Sequence, residues 1–190
     1  MVISDKNKFL FLEYPKSATK SIRTSLMGLT GSRWYTGGSK RHGGIDQSMI
    51  HFPQAKEYFK FAFVRNPWCR TVSFYLFKKA RSSNKIYKEL SFKEYVNSSD
   101  HFKSTTTFFN FGLNSEISLD FIGRFENLEE DFYTACGKIG IKGIKIPLKQ
   151  LNKRRFKYKS YTEYYDDDTR EVIAEKYKKD IEYFGYKFGE

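Results

Sequence analysis

The stretch Leu12–Arg23 reads LEYPKSATKSIR and places two lysines and three hydroxyl side chains directly behind an apolar run. A chain that turns from strand into helix leaves the first helical amides without internal acceptors. Those amides and the helix dipole together hold an anion. The N–H groups of residues 17–21 and the hydroxyls of Ser17, Thr19 and Ser21 are the donors on offer, and Lys16 stands where it would neutralise charge on a bridging oxygen. The bland alternative is that Ser17 or Thr19 caps a helix and Lys16 is solvated. The letters ATKS also look like the tail of a nucleotide-binding P-loop, G-x-x-x-x-G-K-[ST]. With Lys20 and Ser21 on its last two positions, the glycines fall on Tyr14 and Thr19, whose side chains stand where the phosphate wrap needs none. No apolar run ending in a magnesium-holding Asp accompanies it, so an ATP or GTP hydrolase is disfavoured.

A second junction, RNPWCRTVSFY, begins at Arg65. Arg65 offers a planar fork for a phosphate, and Ser73, two turns into the following helix, offers a hydroxyl on the same side. Taken alone, Arg70 and Ser73 face solvent as readily as ligand.

Both junctions need strands to launch them. Lys8–Tyr14 (KFLFLEY) is a compact apolar run stopped by Pro15, and the N-terminal MVISDKNKFLFLEY reads as a first strand rather than a leader. From Lys20 to Leu29, Ile22, Leu26 and Leu29 recur at helical spacing. A glycine-punctuated loop around Lys40, Arg41 and His42 leads to a short helical stretch over Asp46–Phe59, then to a strand over Phe59–Val64 and a helix running to Ala80. Residues 81–120 read as helical and irregular, with Ser91 capping FKEYV. Phe121–Phe125 is a third strand, followed by a helix over Glu126–Lys138, a basic loop over Ile139–Ser160, and a long helix over Asp168–Phe184 capped by Asp168 or Thr169. Strands alternating with helices predict a single three-layer α/β domain over residues 1–190. Its sheet is mostly parallel, its first strand-loop-helix turn is P-loop-like, and ligand lies beyond the carboxyl ends of the strands.

The 34 Lys and Arg against 22 Asp and Glu give a net charge of +12, which favours a polyanionic partner or a phosphate-rich cofactor. Cys69 and Cys136 form no metal or disulfide framework, which fits a reducing compartment. No window approaches a membrane span.

Together, PKSATKS and RNPWCRTVSFY resemble the first and second motifs, about PKxGTTS and RxPxxRxxSxY, of the sulfotransferases that use 3′-phosphoadenosine 5′-phosphosulfate (PAPS). DFIGRFENLEEDF (Asp120–Phe132) and the ending YYDDDTREVIAEKYKKDIEYFGYKF resemble the carbohydrate sulfotransferase branch, so the resemblance runs from Phe9 to Phe188. It implies the sulfotransferase fold and sulfuryl transfer from PAPS to a hydroxyl, with no metal. By position it implies that Lys16, Ser17, Ala18, Thr19, Lys20 and Ser21 line the 5′-phosphosulfate. Arg65 and Ser73 would hold the 3′-phosphate, and Asn152, Lys153, Arg154 and Arg155 belong to a loop closing over the nucleotide. The chain departs from the motif at Ala18, where glycine is common, and at Lys20, where Thr or Ser is common. These departures bear on the loop's geometry more than on its role.

In the glycan enzymes a histidine in the region of His42 serves as base, which makes His42 the first candidate and Asp46 or Glu13 the carboxylate alternatives. The bland reading of His42 is a surface histidine in a basic loop. His51 reads as a partly buried helix residue, while His101 and Arg41 are candidates for acceptor contact. Lys40-Arg41, Lys78-Lys79-Arg81 and Lys153–Arg155 would form the track for an anionic acceptor. The expectation is a basic cytoplasmic enzyme, bacterial or viral by analogy, acting on a carbohydrate or other hydroxyl-bearing acceptor, with no nucleic-acid partner. The alternatives are a non-catalytic polyanion-binding protein on the same fold and a P-loop kinase.

Overall fold

A computed structural model of the chain describes residues 1–29, 31–35, 50–81, 83, 85–98, 104–109, 118–141 and 159–190. In chain order these form β1 (Val2–Ser4), β2 (Phe9–Leu12), α1 (Thr19–Met27), β3 (Ser32–Trp34), a 3-10 turn (Pro53–Glu57), β4 (Phe59–Val64), α2 (Pro67–Arg81) and α3 (Ile86–Glu89). There follow α4 (Phe92–Ser98), α5 (Thr105–Phe108), β5 (Phe121–Arg124), α6 (Leu128–Lys138), a second 3-10 turn (Tyr161–Tyr164), α7 (Asp167–Lys176) and α8 (Lys178–Phe184). The chain divides into two compact units, Met1–Val64 with Thr107–Arg154, and Arg65–Thr106 with Arg155–Glu190.

The first unit holds the sheet, in the order β3-β1-β2-β4-β5. β2, β4 and β5 pair in parallel, with Leu12 opposite Ala62 and Val64 opposite Arg124. β1 pairs antiparallel with both β2 and β3. The sheet is therefore half parallel, and the N-terminal segment is two strands rather than one. The polar run between Ser4 and Phe9 makes the difference: Lys8 takes a left-handed φ of 51°, and the Asn7 side chain donates to Ser4 Oγ at 3.1 Å, closing a short reversal that only an antiparallel pair can use.

Strand alternation sends Val2, Phe9, Phe11, Phe61 and Phe63 to one face, against Ile22 and Leu26 of α1 and Phe132, Ala135 and Cys136 of α6. Ile3, Leu10, Leu12 and Ala62 take the other face, covered among the described residues by Ala55, Tyr58 and Phe109. β2 and the last five residues of β4 are buried throughout, which explains why they are apolar but for Lys60, whose Nζ donates to Lys56 O at 2.9 Å and Tyr58 O at 2.7 Å. On β5, a Cβ at Gly123 would meet Phe63 Cε1 at 2.4 Å, so the close approach of β5 to β4 requires glycine there.

The second unit gathers α2 to α4, α7 and α8 about an aromatic cluster. Tyr75 lies 5.4 Å from both Phe92 and Tyr95, and Phe92 lies 4.8 Å from Tyr165. Ser91 caps α4 as its sequence suggests, accepting from the Glu94 amide at 3.2 Å. The expected single C-terminal helix is two helices broken at Tyr177, and its cap is Asp166 rather than Asp168 or Thr169. Thr169 supplies the other half of the box: its amide donates to Asp166 Oδ1 at 2.8 Å, and its hydroxyl accepts from the Asp166 amide at 3.0 Å.

Candidate functional site

In the first unit β2 ends at Leu12, and the chain turns into α1 through two non-glycine residues in the left-handed region, Lys16 (φ 70°) and Ala18 (φ 58°). Ala18 is the N-cap of α1 and makes no side-chain cap bond, so neither Ser17 nor Thr19 caps the helix. A left-handed φ also explains why glycine suits this position. The Ala18 methyl packs on the core beside α1, which offsets part of the conformational cost.

The amides sort themselves by geometry. Ser17 N–H donates to Tyr14 O at 3.4 Å, and the amides of Ser21 and Ile22 donate to Ala18 O at 2.9 and 3.1 Å. The amides of Ala18, Thr19 and Lys20 have no acceptor among the described residues. The donor set is thus narrower than residues 17–21. Ser17 is fully buried, and its Oγ has no hydrogen-bond partner among the described residues. A native fold rarely leaves such a group unmatched, and beside it three open amides stand at the positive end of a helix, donors of the kind that suit an oxyanion. Lys16 and Thr19 are half-buried, Ser21 is buried, and Lys20 is exposed. A Walker wrap is excluded at Tyr14, whose buried ring packs 5.2 and 5.6 Å from Phe108 and Phe109.

Glu13 is not placed to act as a base. It is buried, accepts from Arg23 Nη1 at 2.6 Å, and takes both the Met1 amino group (2.8 Å) and Trp34 Nε1 (3.1 Å) on its other oxygen. The Arg23 guanidinium lies 4.1 Å above the Trp34 ring, completing a structural clasp between α1 and β3. His51 is exposed rather than partly buried, with its ring 5.2 Å from that of Tyr35. His42, Lys40, Arg41, Asp46, His101, Asn152, Lys153, Arg154 and Arg155 lie outside the described residues.

The second junction belongs to the second unit. Arg65, half-buried, directly follows β4, and α2 starts two residues later with Pro67 at its first position, where a missing N–H costs nothing. Asn66 is the cap: its Oδ1 accepts from the amides of Trp68 (3.1 Å) and Cys69 (3.4 Å), and its Nδ2 donates to Lys187 O at 2.9 Å. Arg65 Nη2 donates to Cys69 Sγ at 3.0 Å. Arg70 turns inward; it is buried, its Nη1 is 3.5 Å from the Tyr177 hydroxyl, and its guanidinium lies 5.3 Å from the Phe74 ring. Ser73 remains half-buried on α2. The C-terminal segment fastens the start of α2 further, through Trp68 Nε1 to Arg170 O (3.0 Å) and Tyr165 hydroxyl to Trp68 O (2.9 Å). Burial pushes the Tyr165 phenol well above its usual range, so it stays a protonated donor.

The basic cluster at the end of α2 is tied into its own unit. Lys79 Nζ donates to the Tyr75 hydroxyl at 3.1 Å, and Lys78 Nζ lies 4.5 Å over Tyr87. Both also suit the negative end of the helix dipole. In the third motif, Asp120 and Asp131 are structural: Asp120 accepts from the Lys60 amide and Asp131 from the Arg124 amide, each at 2.6 Å. Sequence reasoning missed Asn66, although an asparagine just before an N1 proline is a cap signal in itself.

A model of the sulfotransferase family matches residues 1–187 of the chain. An uncharacterized protein of Archaeoglobus fulgidus is 39% identical over 90 residues, covering 44% of this chain and 69% of that protein. No solved structure matches the chain at a significant level.

Proposed function

The chain belongs to the sulfotransferase family, and from that premise we propose that it transfers a sulfuryl group from PAPS to a hydroxyl of an acceptor, a carbohydrate in the first place. The observation that carries the reading is the fully buried Ser17 hydroxyl, unmatched among the described residues, beside amides of Ala18, Thr19 and Lys20 that are likewise open among them. That donor set suits a tetrahedral oxyanion, and it suits the 5′-phosphosulfate end of the nucleotide. When bound, PAPS supplies a sulfuryl group activated by its anhydride link to phosphate.

The protein's part is to bind, orient and manage charge and protons. Ser17, Thr19, Ser21 and the amides of residues 18–20 hold the phosphosulfate, with Lys20 adding charge from the exposed side. Lys16 Nζ neutralises charge gathering on the bridging oxygen, which lowers the barrier without a metal. Arg65 and Ser73 hold the 3′-phosphate, with Arg65 contributing paired N–H donors. Residues Asn152 to Arg155 cover the nucleotide, and Arg41 and His101 contact the acceptor. His42 takes the acceptor's hydroxyl proton on an imidazole nitrogen as the oxygen attacks in line. The three-layer form of the fold belongs to the same proposal.

Transfer of labelled sulfate from PAPS across a panel of glycans, repeated with Lys16→Ala, tests the reading. Transfer by the wild type with about a hundredfold loss in the variant is the expected result. Equal transfer by Lys16→Ala would overturn the assigned mechanism. Steeply salt-dependent polyanion binding with no affinity for the nucleotide would instead establish the non-catalytic binder, which the +12 charge favours. Among the described residues no helix is long and apolar enough to cross a membrane.

A further inference from the structure

Arg65 and Ser73 can share one phosphate only if their separation is held to a fraction of an ångström, yet one precedes α2 and the other lies two turns inside it. Whatever fixes the first turn of α2 therefore fixes the pair. Asn66 occupies that point. It is fully buried, its Oδ1 takes the amides of Trp68 and Cys69, and its own carbonyl takes the Arg70 amide at 2.8 Å. A serine or aspartate could cap α2 as well, but of the three only asparagine carries the capping oxygen and N–H donors on separate atoms of one fork, and Asn66 Nδ2 donates to Lys187 O at 2.9 Å. Trp68, two residues on, has its ring 5.7 Å from that of Phe188, so adjacent residues of the C-terminal segment, Lys187 and Phe188, are both gripped.

A second path leads from Asn66 to the Arg65 guanidinium. Cys69, whose amide is held by Asn66 Oδ1, receives Arg65 Nη2 on its sulfur at 3.0 Å. Cap, thiol and guanidinium are thus linked in series within one turn. We infer that Asn66 is a positioning residue for recognition of the 3′-phosphate, setting Arg65 against Ser73 through the α2 cap and its tie to Lys187; this rests on the sulfotransferase reading above. It makes the C-terminal segment part of donor selection rather than mere packing.

Calorimetric binding of adenosine 3′,5′-bisphosphate and of AMP separates the two claims, because the nucleotides differ only in the 3′-phosphate. The wild type is expected to prefer the bisphosphate by about a hundredfold, as charge-assisted contacts to one phosphate allow. No preference in the wild type would overturn the functional reading and the inference with it. Asn66→Ser keeps a capping oxygen and loses the donor to Lys187 without adding charge. It is expected to cut the preference about three- to tenfold while leaving AMP affinity and helix content unchanged. An unchanged preference in Asn66→Ser, with the wild type discriminating, would overturn the inference alone, and an equal loss for both nucleotides would show a role in folding only. Asn66→Ala, which removes cap and tie together, is expected to lose more than Asn66→Ser.

Discussion

Replacing Ser17 by alanine should make the protein more stable and a poorer nucleotide binder at once. The Ser17 hydroxyl is fully buried with no partner among the described residues. A buried hydroxyl left without a hydrogen bond costs about 1–3 kcal/mol. Alanine removes that cost and leaves a gap the size of one oxygen, giving back roughly 0.5 kcal/mol in lost contacts. The net gain is about 1 kcal/mol, or a rise in Tm of about 2–4 °C for a chain of this size. The same change deletes a charge-assisted donor from the anion cradle, worth about 1.5–3 kcal/mol, so affinity for adenosine 3′,5′-bisphosphate should fall about ten- to a hundredfold. Differential scanning calorimetry without ligand and titration calorimetry with it read the two halves separately. A ligand-free Ser17→Ala variant melting below the wild type would show that the hydroxyl is already matched in the free protein. Unchanged nucleotide affinity would show that it is no donor. Either result refutes the argument that an unmet hydroxyl is held in reserve for an anion, a trade of stability for function.

Asp180 is buried and takes three donors, the amides of Thr105 (2.6 Å) and Thr106 (2.9 Å) and the Thr106 hydroxyl (3.0 Å), so Asp180→Ala should cost about 3 kcal/mol by chemical denaturation, and Asp180→Asn less. The Asp166 carboxyl is held down to about 2 from 3.8, first by the Thr169 hydroxyl, then by the Thr169 amide and by Lys93. A depressed folded-state value means that its contribution is complete above about pH 4 and is lost as pH falls toward 2. Denaturation midpoints followed through that window should decline less in Asp166→Asn than in the wild type.

Much of the site was legible in the letters. An apolar run stopped by proline, then hydroxyls and a helical spacing, locates a strand-to-helix turn, and Arg-Asn-Pro locates another, because strand and helix starts are written in local residue types. The selection among donors was not legible. Which amides at 17–21 stay open depends on Ala18 adopting φ 58° and offering its carbonyl to Ser21 and Ile22, and nothing in an alanine announces a left-handed turn. Glu13 reads as a candidate base until Arg23 and Trp34 close on it, and Arg70 reads as facing solvent or ligand alike until Tyr177 receives it.

By itself the sequence determined the apolar strands, the two junctions, the excess of positive charge and the family motifs, all of which follow from residue type and short-range spacing. The tertiary structure alone decided that β1 and β3 run antiparallel, that Ser17 is buried and unmatched among the described residues, and that Asn66 reaches Lys187. The physical reason is common to the three. Each depends on which distant segments share hydrogen bonds and exclude water together, and periodicity along the chain carries no record of that pairing.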